Sequence, residues 1–103
     1  MSFFSVIIPT YNRAEKAVRA IRSVLRQRHG DYEIIVIDDG STDDTMTRLR
    51  EFGSSIRCQY QRNTGVSAAR QRGITIAGGR YISLLDSDDE WLPEKIAEHR
   101  RDH

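Results

Sequence analysis

The sequence predicts an α/β domain, a parallel, doubly wound sheet of about four strands flanked by helices. Three observations carry this. Short apolar, β-branched runs alternate with segments of helical periodicity in the order β-α-β-α-β-α-β. Turn-forming residues separate each pair, and strands that alternate with helices run parallel through right-handed crossovers. Polar and acidic residues recur just past three of the strands, at the sheet edge where such folds bind ligands.

The first run, Phe3-Phe4-Ser5-Val6-Ile7-Ile8, ends at Pro9 and is apolar enough to be buried on both faces. Over residues 14–27 the apolar positions Ala17, Val18, Ile21, Val24 and Leu25 follow helical spacing, and His29-Gly30-Asp31 breaks that helix. A second buried strand covers 33–37. Gly40 turns the chain, and Ser41 with Asp44 three residues on has the form of a capping box for a second helix reaching about Phe52. Residues 56–61 form a third, more polar strand. After Asn63-Thr64-Gly65 a third helix places Val66, Ala69, Gly73, Ile76 and Ala77 on one face. Gly78-Gly79 ends it, and 80–85 make the fourth strand. Pro93 suits the first turn of a last helix, with Ile96 and Ala97 its few apolar residues.

At 103 residues the chain fits one small domain, burying somewhat under ~68% of its unfolded surface. Charged residues make up 30% and nearly cancel at net +1, so no global field points to nucleic acid. Their distribution is uneven. Arg13, Lys16, Arg19, Arg22, Arg26 and Arg28 crowd one segment, while eight of the 15 acids fall within 38–44 and 86–90. The basic run reads first as the solvated face of a helix, with a membrane-surface role as the alternative. Cys58 is the single cysteine, which excludes a disulfide framework and a thiolate metal site and suits a small core or edge residue. No run reaches the ~18 apolar residues of a membrane span, and no signal-peptide pattern opens the chain, so a cytoplasmic location is expected, peripheral to the inner membrane face if the basic helix binds lipid.

The polar groups define the chemistry. Pro9-Thr10-Tyr11-Asn12, Asp38-Asp39 and Asp86-Ser87-Asp88-Asp89 all fall at the carboxyl edge of the predicted sheet. Carboxylates at i and i+2 beyond a buried strand suit a hard divalent cation, Mn²⁺ or Mg²⁺, the kind of ion that neutralises a diphosphate. No Gly-x-Gly-x-x-Gly follows the first strand and no Gly-x-x-x-x-Gly-Lys-Ser/Thr occurs. A receiver-type phosphoacceptor domain would carry its acidic pair after strand one, whereas this pair follows strand two. The sheet is therefore Rossmann-like without the usual phosphate cradle, and a cation on Asp86 and Asp88 is the available substitute.

Four segments then resemble successive motifs of the family 2 glycosyltransferases: Ser5-Val6-Ile7-Ile8-Pro9-Thr10-Tyr11-Asn12-Arg13, Val36-Ile37-Asp38-Asp39-Gly40-Ser41-Thr42-Asp43, Asn63-Thr64-Gly65-Val66-Ser67-Ala68-Ala69-Arg70 and Leu85-Asp86-Ser87-Asp88-Asp89. Asp-x-Asp alone is weak; four motifs in order over nearly the whole chain are not. The resemblance implies the N-terminal half of a GT-A domain that binds a nucleotide-diphospho-sugar, a UDP-sugar foremost, for inverting transfer to an acceptor whose identity stays open. It implies that Pro9, Thr10 and Tyr11 floor the base and ribose, that Asp39 accepts a hydrogen bond from a base N–H, and that Arg70 reaches the nucleotide or its phosphates. It further implies that Asp86 contacts ribose or metal and Asp88 the metal.

Plainer roles fit other residues. Asp38 suits turn geometry; Ser41, Thr42 and Asp43 a helix cap; Asn12 and Asn63 turns. Asp89 and Glu90 can simply charge the start of the last helix, although Asp89 could help the metal, and Trp91 packs. His29, His99 and His103 receive no chemistry. In the resembling family the general base lies well downstream of Asp-x-Asp, whereas this sequence ends at His103. The expectation is the N-terminal part of a longer transferase, inactive by itself, with a fourth strand whose exposed edge promotes self-association. Two alternatives remain: a non-catalytic binding or interaction module of the same fold, and a nucleotidyltransferase, which the absence of a Gly-rich basic first loop disfavours.

Overall fold

The computed structural model describes residues 4–27 and 31–86. In chain order these form β1 (Phe4–Thr10), α1 (Ala14–Leu25), β2 (Tyr32–Asp38), α2 (Thr45–Arg50), a 3₁₀ turn (Gly53–Ser55), β3 (Arg57–Tyr60), α3 (Val66–Ile76) and β4 (Tyr81–Leu84). All strand pairs are parallel, in the order β3-β2-β1-β4. The predicted doubly wound α/β sheet is therefore present. The helix expected at Pro93, together with Arg28, His29, Asp88, Asp89, Glu90, Trp91, His99 and His103, lies outside the described residues.

β1 sits at the centre and every one of its seven residues is buried. Successive side chains point to opposite faces of a strand, and the two sets find different partners. Phe4, Val6 and Ile8 pack with Ala17, Ala20, Ile21 and Val24 of α1, with Ile34 and Val36 of β2, and with Leu49 of α2. Ile7 joins Ile35, Ile37 and Ala69 of α3 on the other face. The basic residues Lys16, Arg19 and Arg22 are exposed on α1, and Arg26 at its C-cap, as the apolar periodicity predicts.

α3 lies hard against the sheet because Gly73 lets it. A Cβ added there would fall 2.4 Å from Ile7 Cγ2. Its apolar face is narrower than the spacing predicts: Ala69 and Gly73 are buried, Ile76 and Ala77 half-buried, and Val66 is 50% exposed. β4 pairs Ser5 with Ile82 and Ile7 with Leu84, which sets Ile82 and Leu84 on the α3 side of the sheet. Both are exposed there.

The capping box is not formed. α2 starts at Thr45, and its N-cap residue Asp44 makes no side-chain cap. Ser41 lies four residues before the first helical residue, where its Oγ donates to Asp38 Oδ1 at 2.5 Å and accepts from Asn12 N at 2.8 Å. Asp43 serves instead, with Oδ1 accepting from Thr45 N at 3.0 Å and from the Thr45 hydroxyl. Cys58 lies exposed on β3, one of the two edge strands of the described sheet.

At the amino ends of the strands, Glu33 ties the sheet to the turn before β4. Its Oε2 accepts from Ser5 Oγ and Gly78 N, both at 2.6 Å, while Arg57 approaches Oε1 at 3.4 Å. No helix among the described residues is long and apolar enough to cross a membrane.

Candidate functional site

The chain leaves β1 to one side for β2 and β3, then returns across it to β4, so strand order reverses between β1 and β4. Crevices open at such points beyond the carboxyl ends of the strands. A cavity of about 570 Å³ lies here, lined by Pro9, Thr10 and Tyr11 from β1 and its exit, Asp39 beyond β2, Val66 and Ala69 from α3, and Asp86 beyond β4, with Arg13, Asn63 and Gly65 at its sides. That volume is within the range of ~300–1,000 Å³ common for small-molecule sites. Five residues expected from the sequence thus meet at one cavity: Pro9, Thr10, Tyr11, Asp39 and Asp86.

Register brings them together. Thr10 pairs with Asp38 across β1 and β2, and Asp39 N donates to Thr10 O at 2.9 Å. Leu85 N donates to Ile7 O at 2.9 Å, which carries β4 past its last paired residue and delivers Asp86 to the cavity. Tyr11 is 43% exposed, so its ring forms a wall rather than a core contact. Thr10 is buried, and its Oγ1 has no hydrogen-bond partner among the described residues. A buried hydroxyl left unpaired costs ~1–3 kcal/mol, which a polar ligand group in the cavity can recover.

Asp39 differs from the simple base acceptor expected. Its Oδ1 already accepts from Gln61 Nε2 at 2.8 Å and Thr64 N at 2.9 Å, and its Oδ2 from Gly65 N at 2.9 Å. Burial pushes the carboxyl up, but these donors outweigh it and hold the group below its ordinary value, as an anion at neutral pH. A carboxylate offers about four acceptor positions, so capacity remains for a ligand N–H. Asp39 also fixes the loop between β3 and α3. Gly40 helps close that loop, with φ +80° and its Cα so near Asn63 N that a Cβ would sit 2.7 Å away.

Arg70 does not line the cavity; it holds a residue that does. Its Nη2 meets Asp86 Oδ1 at 2.8 Å, with both side chains more than a third exposed. Exposed pairs of this kind are worth ~0–1 kcal/mol, so phosphate or a cation can displace either partner at little cost. Arg70 Nε is buried without a partner among the described residues. As for a metal, Asp86 supplies a hard, accessible carboxylate of the type Mn²⁺ and Mg²⁺ prefer. Asp88, the other expected ligand, is outside the described residues, and among those described no three acidic, His or Cys side chains cluster.

Asp38 takes the turn role expected of it, accepting from Ser41 N at 3.1 Å. Gln61, Asn63, Arg13 and Val66 are site residues that motif reasoning did not assign. Gln61 directly follows β3, and its N donates to Asp38 O beside Asp39, a placement that only the strand register reveals.

Residues 5–101 match the profile described as Glycosyl transferase family 2. The chain belongs to that family. An uncharacterized glycosyltransferase of Rickettsia felis is 50% identical over 94 residues, 89% of this chain, and this chain spans 16% of that relative's length. TarS 1–349 of S. aureus, solved in complex with UDP-GlcNAc, superposes with a TM-score of 0.85 at 29% identity, covering 98% of this chain and 30% of its own. The mannosyltransferase PcManGT of Pyrobaculum calidifontis, in complex with GDP-Man and Mn²⁺, gives 0.80 at 25% identity, covering 92% of this chain and 30% of its own. These likenesses give the chain the GT-A fold of the family, over less than a third of each matched structure.

Proposed function

We propose that this chain carries the donor site of an inverting, metal-dependent glycosyltransferase and binds the nucleoside diphosphate portion of a UDP-sugar. The observation that carries the reading is the convergence of Pro9, Thr10, Tyr11, Asp39 and Asp86 on one cavity at the strand-order reversal. The base lies against Tyr11 and Pro9 and donates its ring N–H to Asp39. Thr10 Oγ1 acquires a ribose or base partner. The diphosphate extends toward Asp86, where Arg70 can exchange its carboxylate partner for a phosphate oxygen.

Asp86 and Asp88 would hold a divalent cation, and its charge would neutralise a departing diphosphate. Transfer then has the acceptor hydroxyl attack the anomeric carbon as the bond to the diphosphate oxygen breaks, with a base taking the hydroxyl proton. That step is proposed for a protein of the relatives' length, since this chain spans 16% of the Rickettsia felis relative. The GDP-Man complex of PcManGT keeps guanine as an alternative base, because guanine also presents a ring N–H to a carboxylate.

Isothermal titration calorimetry of UDP into the chain, with Mn²⁺ and then with EDTA, tests the reading. Binding that disappears with EDTA and in Asp86→Ala is the expected result. Heat from GDP but not UDP changes the base and keeps the site. Silence from UDP, GDP and dTDP with and without metal removes the donor-site reading and favours a non-catalytic module of the same fold.

A further inference from the structure

We infer that Asn12 is a positioning residue, a clamp that joins the loop after β1 to the loop after β2 and so presets the spacing between Tyr11 and Asp39. This inference rests on the donor-site reading of the cavity. Asn12 occupies the left-handed backbone region at φ 48°, the one described non-glycine residue with positive φ. Asparagine tolerates that region better than most residues, so turn geometry alone could explain its presence.

Its hydrogen bonds go further than a turn requires. Asn12 Oδ1 accepts from Thr42 N at 2.7 Å and from Asp43 N at 3.3 Å, while Nδ2 donates to Thr42 Oγ1 at 3.3 Å. Its own backbone N donates to Ser41 Oγ at 2.8 Å. Ser41 Oγ in turn donates to Asp38 Oδ1, the residue before Asp39. All these partners lie 29 to 31 residues away in sequence. An asparagine serving only its own turn bonds to neighbours two or three residues off.

Geometry explains why such a clamp matters. Asn12 follows Tyr11 directly, and the segment it grips follows Asp39 by two residues. Both Tyr11 and Asp39 line the cavity, and Asn12 itself does not. The register ends at Thr10 and Asp38, and one last backbone bond, Asp39 N to Thr10 O at 2.9 Å, closes the ladder. Among the described residues, those after Tyr11 and after Asp39 have no backbone pairing to hold the two loops together. The Asn12 carboxamide continues the connection past the ladder. A site held at its binding distance spends less free energy on ordering when the ligand arrives.

The test compares the chain with Asn12→Gly and Asn12→Asp. Glycine accepts the positive φ without strain and deletes the carboxamide, whereas aspartate keeps an acceptor for the Thr42 and Asp43 amides, and the Thr42 hydroxyl can turn to donate to it. Calorimetry of UDP with Mn²⁺ is expected to show affinity about tenfold weaker in Asn12→Gly, with the thermal midpoint near that of the parent, and recovery to within about threefold in Asn12→Asp. Equal affinity in parent and Asn12→Gly overturns the inference. Should Asn12→Gly fail to fold, a parent-like affinity in Asn12→Asp together with a tenfold loss in Thr42→Pro, which removes the 2.7 Å donor, stands in for it; parent-like affinity in Thr42→Pro overturns it.

Should the parent itself bind no nucleotide, the donor-site reading fails and amide exchange decides the clamp alone. Faster exchange at Thr42 and Asp43 in Asn12→Gly, with the Tyr11 ring more mobile, supports it. Unchanged exchange there sinks it.

Discussion

Asp39 shows how one carboxylate can organise a loop and still line a cavity. Gln61, Thr64 and Gly65 all donate to it, and they hold it ionised against the opposing effect of burial. A group whose folded pKa is lowered contributes stability in full above its unfolded value, about 3.9 for aspartate, and loses it as pH falls through the folded value. The 61–65 loop should therefore loosen in acid before the core does. In Asp39→Asn an amide N–H₂ replaces one acceptor among three donors, which should cost about 1–3 kcal/mol. Urea titrations at neutral pH and near pH 3 test this: the gap between parent and variant should narrow in acid, and a gap independent of pH would reject the assignment. Asp39 itself was legible in the sequence, because an acid beyond a buried strand has few structural excuses. Its partners were not. Gln61 sits 22 residues away in sequence, and only the parallel register of β2 and β3 brings it alongside.

At the scale of elements, strand positions were readable because burial on both faces demands unbroken apolar runs such as Val6-Ile7-Ile8 and Ile34-Ile35-Val36-Ile37. The start of α2 was not. Asp43 rather than Ser41 holds the Thr45 amide, while the Ser41 hydroxyl is engaged with Asp38 and with Asn12, the latter a contact 29 residues away that spacing does not show. Val66 misled for a related reason: helical spacing identifies a face, but the cavity takes the end of that face from the core. α3 also depends on a contact that spacing cannot reveal. Gly73→Ala would drive a methyl into Ile7 Cγ2, so either the helix lifts from β1 or Ile7 leaves its rotamer. Overpacking of this kind costs about 1–3 kcal/mol. A lower urea midpoint with an unchanged slope is expected; a midpoint equal to the parent's would mean that the sheet yields there without strain.

At the scale of the whole molecule, β4 is an outer strand among the described residues and presents Ile82 and Leu84 to solvent at 43% and 50% exposure, on the α3 side. An apolar strand at a sheet edge recruits another, and a second copy of the chain offers an identical strand. Size-exclusion chromatography with light scattering should find this chain self-associated at micromolar concentration, with Leu84→Lys shifting it toward monomer. A parent that elutes as a clean monomer would contradict this. The order β3-β2-β1-β4 also has a consequence for synthesis on the ribosome. Of these four strands the one translated first ends up inside the sheet, and its second hydrogen-bonding edge stays open until residues 81–84 have emerged. β2 can dock early, yet for the whole interval in which α2, β3 and α3 are being made, the most apolar strand in the nascent chain lacks its last neighbour. A ribosome that stalls anywhere in that interval releases a fragment built to aggregate.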